Sequence, residues 1–194
     1  MSPRAGAPAA RLRQRVDAAQ GSLTAIYALE LSLRAADFLM PAQRVQELLP
    51  EAAPRTGVLA LEQDGTLHMG LYVHPEDEAD TDAVVEETSH LLCLAWHAAL
   101  GLPISRLQLE IQGEVDRYAV ARVSGADPLG HFEGFDWADW MDAEVLQRYE
   151  TAHRTAQRYC RRLESRFPQR ADTPGWLSEL RRFYRASPDA RLRV

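Results

Sequence analysis

The stretch that decides the fold class is Gly57-Val58-Leu59-Ala60-Leu61-Glu62-Gln63-Asp64-Gly65-Thr66-Leu67-His68-Met69-Gly70-Leu71-Tyr72-Val73. Two apolar runs flank Asp64-Gly65. A two-residue hairpin turn needs positive φ, and Asp-Gly is one of the pairs that adopts it readily. The stretch predicts an antiparallel hairpin over about 57–73 and excludes a purely helical protein.

N-terminal to the hairpin, residues 1–8 hold Ser, Pro, Gly and Ala with nothing to bury, which predicts a disordered start. Ala9 to about Ala19 suits a helix, with Leu12, Val16 and Ala19 at helical spacing, and Gly21-Ser22 interrupts it. In Ile26–Leu33, Leu29, Leu31 and Leu33 alternate with Glu30 and Ser32, so a third strand over 26–33 is expected to join the sheet. Pro41–Leu49 reads as a short helix with proline at its first position.

C-terminal to the hairpin, an acidic loop from His74 leads into a long helix, roughly Ala79–Leu100, closed by Gly101-Leu102-Pro103. Ile104–Val123 reads as a helix with Ile104, Leu107, Ile111, Val115 and Tyr118 on one face. The alternation of Leu107, Leu109 and Ile111 keeps strand as the other reading of 104–123. A loop over 124–140 precedes a helix from about Asp142 to Phe167, striped by Val145, Tyr149, Ala152, Ala156, Tyr159, Leu163 and Phe167. Pro168 stops it. Pro174–Tyr184 forms a last helix, and the tail from 187 to 194 reads as frayed. The class is α+β: a small antiparallel sheet packed on four to five helices, in one globular domain over 9–186.

Composition bounds the function. The apolar share of 46% is that of a globular chain. Cys93 and Cys160 are too few for a disulfide framework and read as reduced thiols. No apolar run follows the N-terminus, and no stretch of about 18 apolar residues exists. A soluble cytoplasmic protein without a membrane segment is expected. All 22 basic residues are Arg, which excludes Schiff-base and lysine-base chemistry. Residues 74–144 carry 16 acids against 3 Arg, and residues 145–194 carry 12 Arg against 5 acids, within a net charge of −6. Such asymmetry points to a charged partner or to two regions that face each other.

The chemistry concentrates on the helix over 83–100. Glu86, His90, Cys93 and His97 recur at spacings of four, three and four, so they lie on one stripe. The rest of that helix is mostly apolar, and a helix apolar nearly all round is buried. Buried polar groups need partners inside the protein or a metal. His, Cys and carboxylate are ligands of zinc, iron and manganese.

Glu87-Thr88-Ser89-His90 and Glu150-Thr151-Ala152-His153 both have ExxH spacing. Paired ExxH helices with one Glu from each of two other helices resemble the ferritin-like di-iron carboxylate proteins. That resemblance implies Glu87, His90, Glu114 and His153 as ligands, with Glu150 and Glu30 completing the set and oxidoreductase chemistry as the activity. It covers those positions alone. Glu30 falls in the segment read as strand, the hairpin interrupts the four-helix order, and Glu150 sits about 130° from the centre of its helix's apolar stripe. The candidate metal residues are thus Glu86, Glu87, His90, Cys93, His97, Glu114 and His153.

Other signatures fail. There is no HExxH, no GxSxG and no GxxxxGK. Cys93 and His97 are spaced as a nucleophile and base, but a cysteine in mid-helix lacks the usual thiolate stabilisation. The loop aromatics Phe132, Phe135, Trp137 and Trp140 either anchor a protein partner or close over the core. Arg154, Arg158, Arg161, Arg162 and Arg166 offer a basic helix face, but the overall negative charge opposes nucleic-acid binding. Three functions follow: an accessory protein that binds a protein partner without a catalytic motif; a metal-binding protein, in the di-iron-like form an oxidoreductase; and, third, a nucleic-acid binder.

Overall fold

A computed structural model describes residues 6–51, 55–133 and 142–192. Among the described residues, seven α-helices and a two-stranded sheet follow one another as α1 (Gly6–Tyr27), α2 (Ala42–Leu48), β1 (Gly57–Gln63), β2 (Thr66–Tyr72), α3 (Thr81–Ala99), α4 (Arg106–Ser124), α5 (Ala143–Arg166), α6 (Thr173–Tyr184) and α7 (Pro188–Leu192). Short 3-10 turns cover Ala35–Phe38, Gly130–Phe132 and Arg170–Asp172. The protein is α+β and two-thirds helical, as the hairpin and the long apolar stripes require.

The hairpin forms where Asp64 and Gly65 both take positive φ, at 51° and 72°, pairing Gln63 with Thr66 and Gly57 with Tyr72. Helix starts are set by local chemistry. The Asp80 carboxylate accepts from the Asp82 and Ala83 N–H groups at the start of α3. Ser105 and Gln108 form a capping box on α4, and Asp142 caps α5.

Three expectations are corrected. Helix α1 runs through Gly21-Ser22 to Tyr27, because Leu12, Val16, Ala19, Leu23 and Ile26 make one continuous buried stripe. The third strand over 26–33 does not form, and among the described residues the sheet has two strands. Ile26 and Tyr27 end α1, Ala28 turns at φ 50°, and Leu29, Leu31 and Leu33 lie half-buried on the core without a ladder. Gln20 holds that return, donating to the Leu33 carbonyl at 2.9 Å and accepting from the Ala35 N–H at 2.7 Å. The outer edge of β2 instead meets one parallel bridge, from Leu39 to Leu71.

The third correction concerns the tail, which folds as α7 and carries Arg191 into the interior. Its Nε donates to the Phe183 carbonyl at 3.1 Å, and a second guanidinium N–H donates to the Tyr184 carbonyl. Leu192, the large apolar side chain of this helix, is exposed, and the anchor is Arg191, a cation meeting the carbonyl end of a helix. Of the expected disordered start, residues 1–5 lie outside the described residues, and α1 begins at Gly6.

Helix α4 packs between α3 and α5, with α1 and α6 closing the core around Tyr27, Leu92, Ile111, Tyr118, Ala156 and Trp176. Among the described residues no helix is long and apolar enough to cross a membrane. The α3–α4–α5 layer positions the site.

Candidate metal centre

A group of buried and half-buried polar side chains of this layer gathers at one place. Glu86, Glu87 and His90 come from α3, Glu110, Glu114 and Arg117 from α4, His131 from the 3-10 turn after α4, and Arg148, Tyr149 and His153 from α5. Ligand atoms of Glu86, His90 and Glu110 all lie within 4.8 Å of one another. Among the described residues this is the single group of three or more such side chains that could hold a metal ion.

The geometry assigns the His90 nitrogens. Nδ1 lies 3.3 Å from Glu87 Oε2 and hydrogen-bonds to it. Nε2 points the other way, 3.7 Å from Glu110 Oε2, and neither of these two buried atoms has a hydrogen-bond partner among the described residues. A carboxylate that fixes one imidazole nitrogen and leaves the other free is the usual orienting arrangement at metal sites. Bonds of about 2.0–2.2 Å put neighbouring ligands of a tetrahedral ion roughly 3.4 Å apart. The His90–Glu110 pair, at 3.7 Å, is already near that spacing, and Glu86 lies within 4.8 Å of both.

Local sequence makes this approach feasible. Gly113 on α4 faces His90, and a Cβ there would stand 2.9 Å from His90 Nε2 and 3.1 Å from Glu86 Cγ. A glycine in mid-helix is costly for the helix, by about 1 kcal/mol against alanine, and here it makes room for the imidazole.

Electrostatics follow from burial and crowding. Burial pushes the Glu86 carboxyl up to about 7, against the pull of Arg117 and His90. For His90 burial opposes the charge, but Glu87, Glu110 and Glu86 outweigh it and hold the imidazole at about 10. Burial raises Glu110 too, with His90 opposing. Glu114 goes the other way: burial would raise it, but His131, His153 and Arg117 around it hold it well below the ordinary carboxylate range. His153 Nδ1 lies 3.2 Å from its Oε1 and hydrogen-bonds to it. His131 Nε2 lies 3.3 Å from its Oε2, at ion-pair distance but off the hydrogen-bond direction. Arg117 reaches both Glu114, at 2.7 Å, and Glu86, at 3.4 Å. A cleft of about 210 Å³, lined by Asp77, Glu86, Glu87, Glu114, Arg117 and Tyr149, opens beside the group. Glu86 belongs to both the three-ligand group and the cleft wall.

The residues predicted from sequence are divided by the fold. Glu86, Glu87, His90, Glu114 and His153 come together. Cys93 and His97 are buried but sit one to two turns further along α3, beside Tyr184 and Arg191. Burial pushes the Cys93 thiol up to about 12, and His97 Nδ1 shares its hydrogen bond with the Cys93 carbonyl at 2.8 Å, so this pair is neither a thiolate site nor part of the centre. Glu150 faces outward and pairs with Arg154, and Glu30 is exposed, so the carboxylates that would complete a di-iron set are not there.

Glu110, Arg117, Arg148 and His131 were not anticipated. Glu110, Glu114 and Arg117 recur at spacings of four and three, a polar stripe on α4 that matches the one on α3 and could have signalled the site.

Phe132 is buried, edge-on to the His153 ring at 5.2 Å between centroids, and closes the core rather than offering an anchor. Phe135, Trp137 and Trp140 lie outside the described residues. On α5, Arg154 and Arg166 are tied to Glu150 and Glu179.

Comparisons with protein-family models, with curated proteins and with solved structures each returned no match.

Proposed function

We propose that this chain is a metal-binding protein whose centre holds a divalent transition-metal ion between Glu86, His90 and Glu110. One observation carries the reading: three ligand atoms from two packed helices converge, Glu86 half-buried and the other two buried, and His90 Nε2 and Glu110 Oε2 face each other without hydrogen-bond partners. Two carboxylate oxygens and one imidazole form a hard, mixed set that suits iron and manganese ahead of zinc. Three protein ligands leave positions for water or a small molecule, the pattern of reactive rather than purely structural sites. Glu86 lies on the cleft wall, so those positions are reached from solvent. With iron or manganese the open positions favour oxidoreductase chemistry. With zinc they favour activation of a bound water.

The interaction reading has less support, because Phe132 is buried. The competing physical account of the same groups is a structural ion-pair network. Elemental analysis separates the two. Protein purified from cells grown with added iron, manganese and zinc is expected to carry one equivalent of one of these metals. His90→Ala and Glu110→Gln are expected to lose it, and Glu150→Gln to keep it. Absence of metal under all three supplements overturns the proposal.

A further inference from the structure

Tyr149 touches both the three-ligand group and the cleft beside it. On α5, His153 meets Glu114 of α4, and one turn earlier Tyr149 meets Glu110, to whose carboxylate its hydroxyl hydrogen-bonds. The two pairs stand four residues apart on both helices, so Tyr149 shares the inward face of His153. The half-buried Tyr149 also lines the cleft wall together with Glu86. The other polar groups of that wall are committed to protein partners. Thr56 donates to Asp77 at 2.5 Å and accepts from the His74 N–H at 2.8 Å. Glu87 holds His90 Nδ1, and Arg117 lies between Glu86 and Glu114. Burial, and then the carboxylates of Glu110, Glu86 and Glu87, raise the Tyr149 phenol well above its usual range, so it keeps its proton as a donor. An ion ligated by Glu110 draws charge from that carboxylate and makes it a poorer acceptor. The phenol is then free to turn its proton toward a molecule in the cleft.

We infer that the Tyr149 hydroxyl is the hydrogen-bond donor for a small monoanion held at the open side of the ion. This rests on the metal-binding reading above. Size and charge set the class of ligand. A cleft of about 210 Å³ falls below the roughly 300–1,000 Å³ of sites for drug-sized ligands, so the molecule has few atoms. The buried and half-buried group holds four carboxylates, Glu86, Glu87, Glu110 and Glu114, against two guanidiniums, Arg117 and Arg148. With neutral imidazoles, iron(III) leaves that group one charge positive, and a monoanion restores neutrality, which a low-dielectric site favours. A proton on His131 or His153 strengthens the preference. An anion that ligates through oxygen or nitrogen keeps a lone pair for the phenol. Tyr149 thus steadies the anion, while Glu86, His90 and Glu110 hold the ion.

Azide tests this, because its complex with iron(III) absorbs visible light. The full chain, loaded with iron(II) and oxidised with ferricyanide, is expected to develop that band on titration with azide. Tyr149→Phe is expected to hold the same equivalent of iron and to bind azide about tenfold more weakly or worse, the loss of one hydrogen bond to a charged acceptor. Tyr149→Leu carries the same expectation should the first variant unfold. Glu150→Gln, on the outward side of α5 beside Arg154, is expected to match the wild type. No azide band in the iron-loaded wild type overturns the inference, as does unchanged azide affinity in the variants. Loss of iron from a variant that circular dichroism shows to be folded also overturns it, and makes Tyr149 a support for Glu110 alone. A visible band before azide is added, absent from Tyr149→Phe, overturns it as well, since the phenolate would itself be a ligand. All four outcomes leave the metal reading intact. A wild type that takes up no iron, manganese or zinc removes both, and one that takes up manganese or zinc alone removes this inference only.

Discussion

Gly113 stands so close to His90 that a single added methyl group would lie 2.9 Å from its Nε2. The position sets two effects against each other. Alanine gains about 1 kcal/mol of helix propensity over glycine. Overpacking a close contact costs roughly 1–3 kcal/mol, and the atoms it meets here belong to a buried imidazole with little freedom to move. Gly113→Ala is expected to be less stable by up to about 2 kcal/mol in urea denaturation and to lose most of its metal by elemental analysis. A variant as stable as the parent with a full complement of metal would show that the helices need not approach this closely.

Much of this site was legible, for reasons that particular residues make plain. Asp64-Gly65 fixed the hairpin because few residue pairs accept that turn. The four-residue step from Glu86 to His90 put both on one side of a helix too apolar to face water. What could not be read was which neighbours each turn of α3 meets. Cys93 and His97 continue the same stripe, but α3 is long enough that its first half packs on Gly113 of α4 and its second half on Tyr184 of α6. The alternation of Leu29, Leu31 and Leu33 was real too, but an extended segment lying on a core satisfies it as well as a strand does. Gly113 carried no sequence signal, since the need for it arises only when His90 arrives from another helix.

Metal binding is expected to release protons. Without metal, His90 is held protonated by Glu87 and its neighbours, at about 10, and Glu86 titrates near 7. Both must be deprotonated to serve as ligands. Affinity should therefore rise as the pH is raised from 6 to 8, with roughly one to two protons released per ion at pH 7. Calorimetry in buffers of different ionisation enthalpy counts them. Binding that is indifferent to pH, or that weakens as pH rises, would place the metal on other groups.

Cys93 and His97 are expected to be dispensable for the metal. The thiol is fully buried, with no measurable exposure, and burial raises both cysteine thiols. Cys93→Ala and His97→Gln should retain a full equivalent of metal, at a stability cost of about 1 kcal/mol for the first. Neither Cys93 nor Cys160 should react with a thiol-specific disulfide reagent until the chain is unfolded, when both react. Loss of metal from Cys93→Ala, in a protein that still folds, would move the centre along α3.

Asp116 gives the fold a pH dependence of unusual sign. Its carboxylate is buried and accepts from Ser89 Oγ at 2.5 Å, from Gln112 Nε2 at 2.8 Å and from the Tyr27 hydroxyl. Burial pushes its pKa up to about 6, and the three donors pull part of the way back. The native state thus keeps a proton that the unfolded chain gives up near the ordinary value of about 3.9. Where the native state binds more protons, stability falls as pH rises. The contribution of this group is fully present below the unfolded value and is lost as pH climbs through about 6. Asp116→Asn cannot ionise and lacks that slope, whatever it costs in hydrogen bonding. Between pH 4 and pH 7 the stability of the wild type relative to Asp116→Asn should decline, by roughly 2 kcal/mol for a shift of this size. Urea denaturation of both proteins at four pH values across that range measures it. A gap that stays level, or that widens in favour of the wild type as pH rises, would mean that the three donors hold Asp116 ionised throughout.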